Sequence, residues 1–218
     1  MRIAMIGATG LVGRALAPRL AATHEVLLIG RRTAGVSGAQ ERIAPMSEWP
    51  ALLADVQVDI AISTLGTTIK QAGSWEAFRA VDVDAVLAFA RAARGAGARQ
   101  FISVSTAMAM PGARNRYLAL KGEAERDLGD IGYERLDIVR PGLLRGSRDG
   151  KARIAERLAL VASPFLDRLL RGRLDRFASI EAETVAAAMA RLATLQARGH
   201  FIHHNRQLRA LVGASSAR

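Results

Sequence analysis

The sequence Ile3-Ala-Met-Ile-Gly-Ala-Thr-Gly-Leu-Val-Gly13 decides the fold of this chain. Its first four residues predict a short buried strand, and a helical pattern begins after the second of three glycines spaced three apart. Glycines at such a turn permit a sharp reversal and close approach of a ligand, and the helix N-terminus offers free N–H groups. The alternative is an ordinary strand-to-helix turn in a glycine-rich chain. We predict a dinucleotide pyrophosphate site formed by Gly7, Thr9, Gly10, Leu11, Val12 and Gly13.

Strands and helices alternate regularly along the rest of the chain. Strands are predicted over residues 25–32, 42–44, 58–66, 100–105, 133–139 and 199–203. Helices are predicted over residues 11–22, 48–54, 74–94, 113–130, 181–196 and 205–212. This alternation, without repeats or linkers, is typical of an α/β doubly wound parallel sheet with right-handed crossovers. We therefore expect one Rossmann domain over residues 1–218, with helices on both faces and residues 143–180 as a small substrate-side cap.

Composition narrows the class of protein. Half of the 218 residues are hydrophobic, but no apolar run reaches the roughly 18 residues that span a bilayer. The glycines of the first turn cut the N-terminal apolar run too short for a signal peptide. Cysteine is absent, which excludes disulfides and fits a cytoplasmic location. We therefore expect a cytoplasmic protein without a membrane partner.

The net charge of +11 comes from arginine, because Lys70, Lys121 and Lys151 are the only lysines. The arginines are scattered and do not form the dense basic block of a nucleic-acid-binding tail. A compositional bias explains them, leaving a weak preference for anionic ligands. We expect no nucleic-acid partner, and both a monomer and a homodimer remain open.

Two arginines end the second predicted strand, where NAD-binding folds carry an acidic residue. About 20 residues past the glycine turn the sequence reads Gly30-Arg31-Arg32, with no acid between Glu25 and Glu41. Two guanidinium groups would bind the 2′-phosphate of NADP(H). The alternative is a solvated surface pair. We predict that Arg31 and Arg32 select NADP(H) over NAD(H).

A second turn of small residues follows the fourth predicted strand. In a doubly wound sheet the carboxyl ends of the strands face the cofactor. Leu65, Gly66 and Thr67 are therefore expected along the adenosine and its ribose.

A tyrosine and a lysine four residues apart supply candidate chemistry. Tyr117 and Lys121 fall in the predicted helix 113–130, where this spacing places both on one face. A nearby lysine cation favours the phenolate and makes tyrosine a usable general acid–base. Ser105, ending the fifth strand, is expected to point into the same crevice and orient a substrate oxygen. The alternative is a surface tyrosine beside a solvated lysine, a rare coincidence with so few lysines.

Three histidines cluster near the C-terminus, at His200, His203 and His204. Such a cluster can bind a metal, but no acid or cysteine lies nearby in the sequence. We expect surface histidines and no metal site.

Together the glycine turn, Ser105, Tyr117-x-x-x-Lys121 and Arg140-Pro141-Gly142 resemble the short-chain dehydrogenase/reductase superfamily in a compact, atypical form. Over nearly the whole chain, a finer set of residues resembles the Tat-interactive-protein-like oxidoreductases and their bacterial relatives. This set is Thr64-Leu-Gly-Thr-Thr68, Lys70, Ala72-Gly73, Phe78 and Val81-Asp82.

The resemblance implies a role for each matching residue. Tyr117 would exchange a proton with the substrate oxygen, Lys121 would hydrogen-bond the nicotinamide ribose and tune Tyr117, and Ser105 would orient the substrate. Pro141 and Gly142 would flank the nicotinamide. Many relatives carry an asparagine where this sequence has Asp82, an aspartate that the closer subgroup shares.

The leading hypothesis is an NADP(H)-dependent oxidoreductase acting on a small carbonyl or hydroxyl substrate. One alternative is an NADPH-sensing regulator or assembly factor without turnover. Another is a nucleotide-sugar epimerase, although such enzymes usually have a longer C-terminal lobe. The sequence does not identify the substrate.

Overall fold

The computed structural model describes residues 1–146 and 172–213, which form the expected doubly wound α/β fold. The strands are β1 (Arg2–Ile6), β2 (Glu25–Gly30), β3 (Ala39–Ile43), β4 (Ile60–Ser63), β5 (Gln100–Val104), β6 (Arg135–Val139), β7 (Leu143–Arg145), β8 (Ser179–Glu181) and β9 (Gly199–His203). Seven of them build one sheet in the order β3-β2-β1-β4-β5-β6-β9, and every neighbouring pair is parallel. The predicted parallel sheet is therefore confirmed.

Helices cover both faces of this sheet. Within residues 1–146 and 172–213 they are α1 (Leu11–Ala21), α2 (Ile69–Ala72), α3 (Trp75–Arg79), α4 (Ala85–Gly95), α5 (Arg116–Gly129), α6 (Ala182–Leu192) and α7 (Asn205–Gly213). One hydrophobic layer holds side chains of α4 and α5, and the other holds side chains of α1, α6 and α7. Among the described helices, none is long and apolar enough to cross a membrane.

The central strand β1 shows why the sheet is buried on both sides. Ile3 and Met5 pack into the layer of α1 and α6, whereas Ala4 and Ile6 pack into the layer of α4 and α5. Successive side chains of a strand point to opposite faces, so a strand between two helical layers needs an uninterrupted apolar run. The first residues of the chain satisfy this requirement.

Several predicted helix boundaries are wrong. The helix expected over residues 74–94 comprises α3, a π-helical turn over Ala80–Asp84, and α4. Residues 48–54 do not form an α-helix, because Pro50 lies between two separate 3₁₀ turns and supplies no N–H. Helix α5 begins later than predicted because Asn115 caps it, its side-chain oxygen accepting the N–H of Leu118 at 3.2 Å.

The expected cap at residues 143–180 is described only at its two ends. The strands β7 and β8 pair in parallel there, outside the main sheet. Residues 147–171 lie outside the described residues. The single-domain boundary and the substrate-side cap therefore remain predictions.

The expectation of surface histidines is wrong for His203, because an acid lies beside it on the neighbouring strand. His203 Nε2 lies 2.8 Å from the buried Asp137 carboxylate of β6, which also accepts hydrogen bonds from Arg135 and Gln100. Burial by itself raises the pKa of Asp137, but these hydrogen bonds outweigh it and leave this pKa below its ordinary value. The cluster joins β5, β6 and the edge strand β9.

His204 is also half-buried rather than exposed. Burial, together with the neighbouring charges of Arg140 and Arg176, lowers the pKa of His204. Among the described residues, no group of three metal-ligating side chains is found.

Replacing Asp137 by asparagine is expected to lower the free energy of unfolding at neutral pH by about 3–5 kcal/mol, because the buried Arg135 loses its carboxylate. Since the pKa of Asp137 is lowered on folding, its stabilisation is fully present above about pH 4 and is lost as the pH falls through the folded-state value. The difference in the free energy of unfolding between wild type and Asp137→Asn should therefore become smaller at acidic pH. Urea unfolding of both proteins at several pH values measures this difference.

The matched control for this prediction is Asp127→Asn, which removes a carboxylate paired with Arg126 at the surface of α5. It should change the free energy of unfolding by about 1 kcal/mol or less. Equal losses in the two variants would contradict the role of the buried cluster.

Candidate functional site

The glycine turn packs so closely against the loop after β4 that side chains are excluded. Gly7 has a φ of +86°, and a Cβ there would lie 2.5 Å from the backbone N of Leu65. A Cβ on Gly13 would lie 2.2 Å from the carbonyl oxygen of Gly7. Helix α1 starts directly after Gly10, which has no side chain to cap its free N–H groups. This arrangement fits a phosphate group at the helix N-terminus.

A cleft of about 900 Å³ opens at the carboxyl ends of β1, β2 and β4. Eight of the predicted cofactor residues line it: Gly7, Thr9, Gly10, Arg31, Arg32, Leu65, Gly66 and Thr67. The structure therefore brings together three segments that are far apart in sequence. Val12 and Gly13 are buried behind the turn, where Gly13 serves the packing of α1.

Arginine side chains give the cleft its positive charge. Arg31 and Arg32 are exposed at its wall, and neither has an ion-pair partner among residues 1–146 and 172–213. Arg14, which the sequence reasoning missed, lines the same cleft, and its Nε donates to the carbonyl of Thr9 at 3.1 Å. The position of Arg14 directly after the third glycine of the turn is the sequence feature that could have predicted its place in the cleft.

Glu41 is a second missed residue of the cleft, and it orders the loop that carries the arginines. Its carboxylate accepts the backbone N–H groups of Ala34 and Gly35 at 3.0 and 2.8 Å. A hydrogen bond with Thr33 and these backbone contacts hold the pKa of Glu41 below its ordinary value. The carboxylate is thus engaged by the protein rather than directed at a ligand.

The outer wall of the cleft is apolar. Ile43, Met46 and Trp49 line it, and the Trp49 indole is fixed by a 3.0 Å hydrogen bond to the carbonyl of Ala44. A flat aromatic base is the kind of ligand group that such a wall accommodates. Ile43 falls in the predicted strand 42–44, Trp49 falls in the predicted helix 48–54, and Met46 lies between the two. No sequence motif distinguishes these residues.

Tyr117 and Lys121 lie one turn apart on α5, as predicted. The ring of Tyr117 packs edge-on against Phe78 with 5.5 Å between centroids. Lys121 is buried, and its Nζ forms an ion pair with Asp82 Oδ1 at 2.6 Å. Neither residue lines the cleft. Lys121 is connected to it through Asp82, whose other carboxylate oxygen accepts the N–H of the lining residue Thr67 at 2.8 Å.

Ser105 makes a contact that differs from the expected one. Its hydroxyl donates to Oε1 of Glu125 on α5, and the same carboxylate receives the Arg140 guanidinium at 3.0 and 3.1 Å. The single hydroxyl proton is therefore directed at a buried carboxylate and not at the crevice. Glu125 was missed by the sequence reasoning, although it lies one helical turn beyond Lys121.

The turn after β6 is held by a buried asparagine that the sequence did not reveal. Asn205 accepts the N–H of Gly142 at 3.0 Å and donates to the carbonyl of Ala178 at 2.7 Å. A Cβ on Gly142 would lie 2.1 Å from that carbonyl. Pro141 and Gly142 are thus fixed at the carboxyl end of β6, and their contact with a nicotinamide remains a prediction.

The chain is similar to mitochondrial proteins of fungi. It is 36% identical over 169 residues to "Protein fmp52, mitochondrial" of Emericella nidulans, covering 72% of each chain. It is 33% identical over 198 residues to the protein of the same name from Aspergillus fumigatus, covering 85% of this chain and 84% of the relative. These names contradict the prediction of a cytoplasmic protein. That prediction relied on the absence of cysteine, which does not identify a compartment.

Solved structures share the fold at low sequence identity. MoeE5 in complex with UDP-glucuronic acid and NAD matches with a TM-score of 0.68 and 17% identity, over 93% of this chain and 75% of that one. UDP-glucose 4-epimerase from Thermotoga maritima matches with a TM-score of 0.68 and 14% identity, over 99% of this chain and 83% of the epimerase. At this identity the likeness shows the Rossmann-type fold.

A match to the sequence model of one protein family identifies the family of this chain, which the shared fold does not do. The model of the NAD dependent epimerase/dehydratase family matches residues 3–128, which include the glycine turn, both arginines and the Tyr117–Lys121 pair. The narrower resemblance to Tat-interactive-protein-like oxidoreductases remains a prediction. The chain belongs to the NAD dependent epimerase/dehydratase family.

Proposed function

We propose that this chain is an NADP(H)-dependent oxidoreductase that acts on a small carbonyl or hydroxyl substrate. The observation that carries the proposal is the position of two features at one edge of the sheet. The dinucleotide-sized cleft and the Tyr117–Lys121 pair both lie at the carboxyl ends of the strands, and Asp82 connects them. A cofactor bound in the cleft can extend from there toward α5.

The choice of NADP(H) rests on the charge of the cleft. The glycine turn and the start of α1 suit the pyrophosphate, and the exposed Arg31 and Arg32 suit a 2′-phosphate. Arg14 adds a third guanidinium to the same wall. Glu41 also lines the cleft, and the backbone N–H groups that its carboxylate accepts offset part of its negative charge.

The residues of α5 provide the proton chemistry in this proposal. The nicotinamide, when bound, supplies or accepts the hydride. Tyr117 donates a proton to the substrate oxygen during reduction, or removes it during oxidation. Ser105 holds the end of β5 against α5 through Glu125, because its proton already has a partner.

A nucleotide-sugar epimerase is the second candidate, and the family match favours it. Two of the similar solved structures contain UDP-glucuronic acid and UDP-glucose. An epimerase returns the hydride to its substrate, so it causes no net oxidation or reduction of the cofactor. Absorbance at the wavelength of NADPH during turnover therefore separates the two reactions.

We also propose that the protein is located in mitochondria, because the names of the similar fungal proteins give this location.

The first test concerns the cofactor. Replacing Arg31 and Arg32 together by alanine should weaken NADPH binding by about 100-fold, because two charge-assisted hydrogen bonds to the 2′-phosphate are lost. NADH binding should stay within about twofold, since NADH has no such phosphate. Fluorescence titration with each cofactor measures both dissociation constants.

The control for this test replaces Arg99 and Arg198 by alanine. These arginines directly precede β5 and β9, at the amino ends of the strands and therefore on the side of the sheet opposite the cleft. The same loss of charge there should leave the ratio of NADPH to NADH affinity unchanged. A similar loss for NADPH and NADH in the Arg31/Arg32 variant would show that the two arginines do not read the 2′-phosphate.

The second test concerns Tyr117. Tyr117→Phe should reduce turnover with NADPH in a carbonyl-substrate screen by about 10²–10⁴-fold and leave NADPH binding intact, because only the proton donor is removed. The chain's other tyrosine, Tyr133, is partly buried against the core and donates its hydroxyl to the carbonyl of Ala90 at 2.6 Å.

Tyr133→Phe therefore serves as the control, with turnover expected near that of wild type. Equal turnover in wild type and Tyr117→Phe would reject the assignment of Tyr117. NADPH binding without any turnover in wild type would favour a cofactor-sensing regulator.

A further inference from the structure

Asn205 connects the start of the C-terminal helix α7 to the turn after β6. We infer that Asn205 is a positioning residue that sets this turn, Pro141-Gly142, against the nicotinamide half of the cofactor. The inference deepens the proposed function and rests on it, because the turn meets a nicotinamide only if the chain binds a dinucleotide.

The first observation is the hydrogen bonding of the Asn205 side chain, which is 0% exposed. Its Oδ1 accepts the N–H of Gly142 at 3.0 Å. Its Nδ2 donates to the carbonyl oxygens of Ala178 and Asp175 at 2.7 and 2.9 Å. An amide has one carbonyl oxygen and two N–H donors, so both of its polar atoms are used. All three hydrogen bonds join α7 to other segments of the chain.

The second observation is the tight packing around Gly142. A Cβ on this residue would lie 2.1 Å from the carbonyl oxygen of Ala178 and 3.0 Å from Nδ2 of Asn205. The φ of Gly142 is outside the left-handed region, so glycine is needed here for space and not for its backbone conformation. The turn therefore rests directly on Ala178 and Asn205, and these contacts determine where its backbone lies.

The third observation is the place of the turn along the edge of the sheet. The cleft lies at the carboxyl ends of β1, β2 and β4, and β5 and β6 follow β4 in the sheet. A dinucleotide in a doubly wound fold lies across the carboxyl ends of both halves of the sheet. With the adenosine half in the cleft, the nicotinamide half reaches the ends of β5 and β6, where the turn lies.

The fourth observation is that backbone hydrogen bonds join the turn to the helix of the proton donor. The carbonyl of Pro141 accepts the N–H of Ala107, in the loop after β5, at 3.2 Å. The N–H of Met110 in the same loop donates to the carbonyl of Leu118 at 3.1 Å, and Leu118 follows Tyr117 on α5. A turn fixed by the buried asparagine therefore also fixes one side of the loop that leads to α5.

The decisive variant is Asn205→Ala, which removes the acceptor for the N–H of Gly142. It should weaken NADPH binding about tenfold, because the turn loses a buried hydrogen bond that holds it against the nicotinamide. Binding of 2′-phospho-ADP-ribose, which is NADPH without the nicotinamide, should stay within about twofold of wild type. Calorimetric titration measures both dissociation constants, and circular dichroism and urea unfolding establish that the variant folds.

Two further variants separate positioning from stability. Asn205→Asp keeps an oxygen for the N–H of Gly142 but loses the amide donors, so it should be less stable yet keep the wild-type ratio of the two dissociation constants. Arg209→Ala removes the contacts of α7 with Asp175 and with the carbonyl of Ser179, and leaves Asn205 in place. It should also keep that ratio.

Hydrogen exchange of wild type tests the contact without any substitution. Residues 139–145 should exchange more slowly with NADPH than with 2′-phospho-ADP-ribose, because only NADPH brings a nicotinamide to the turn. The same comparison in Asn205→Ala should show a smaller difference between the two ligands. The wild-type measurement decides the inference even if this variant does not fold.

The outcomes separate the inference from the proposed function. Equal losses of affinity for NADPH and 2′-phospho-ADP-ribose in Asn205→Ala would overturn the inference, since the side chain would then only support the fold. Equal exchange of residues 139–145 with the two ligands in wild type would also overturn it, while NADPH binding stands. Failure of wild type to bind NADPH would instead reject the proposed function, and the inference with it.

Discussion

The close contact between the glycine turn and the loop after β4 is the constraint on which the rest of the structure depends. A side chain at Gly7 would overlap the backbone of Leu65, and one at Gly13 would overlap the carbonyl of Gly7. Without these side chains, α1 can lie against β1 and direct its free N–H groups toward the carboxyl edge of the sheet. The cleft exists because this edge remains open between β1, β2 and β4.

Below that edge, buried charged groups attach α5 to the sheet. Lys121 pairs with Asp82 under the Thr67 loop, and Glu125 receives Arg140 of the segment after β6 and the hydroxyl of Ser105. Buried ion pairs contribute little net stability but depend strongly on geometry. These contacts therefore fix where the face of α5 carrying Tyr117 lies. The arrangement gives the helix a defined position beside the cofactor cleft.

The strands and the parallel sheet could be predicted because their signals are local and strong. Apolar runs mark β1, β2 and β4, and their alternation with helices implies a parallel order. Weaker signals produced errors: Pro50 divided an expected helix into two turns, and the π-helical turn Ala80–Asp84 was not foreseen. The histidine prediction failed at His203 because its acidic partner lies 66 residues away in sequence.

The sequence by itself determined the parallel α/β fold, the glycine turn and the arginines after β2, because each depends on a short contiguous segment. Family membership agrees with these motifs. Only the tertiary structure decided the partners of Ser105, Asp82 and Gly142. The hydroxyl of Ser105 meets a carboxylate 20 residues away, and the N–H of Gly142 meets Asn205 across 63 residues. Such contacts depend on which strands are neighbours and which helical face meets them, and no local pattern encodes that packing.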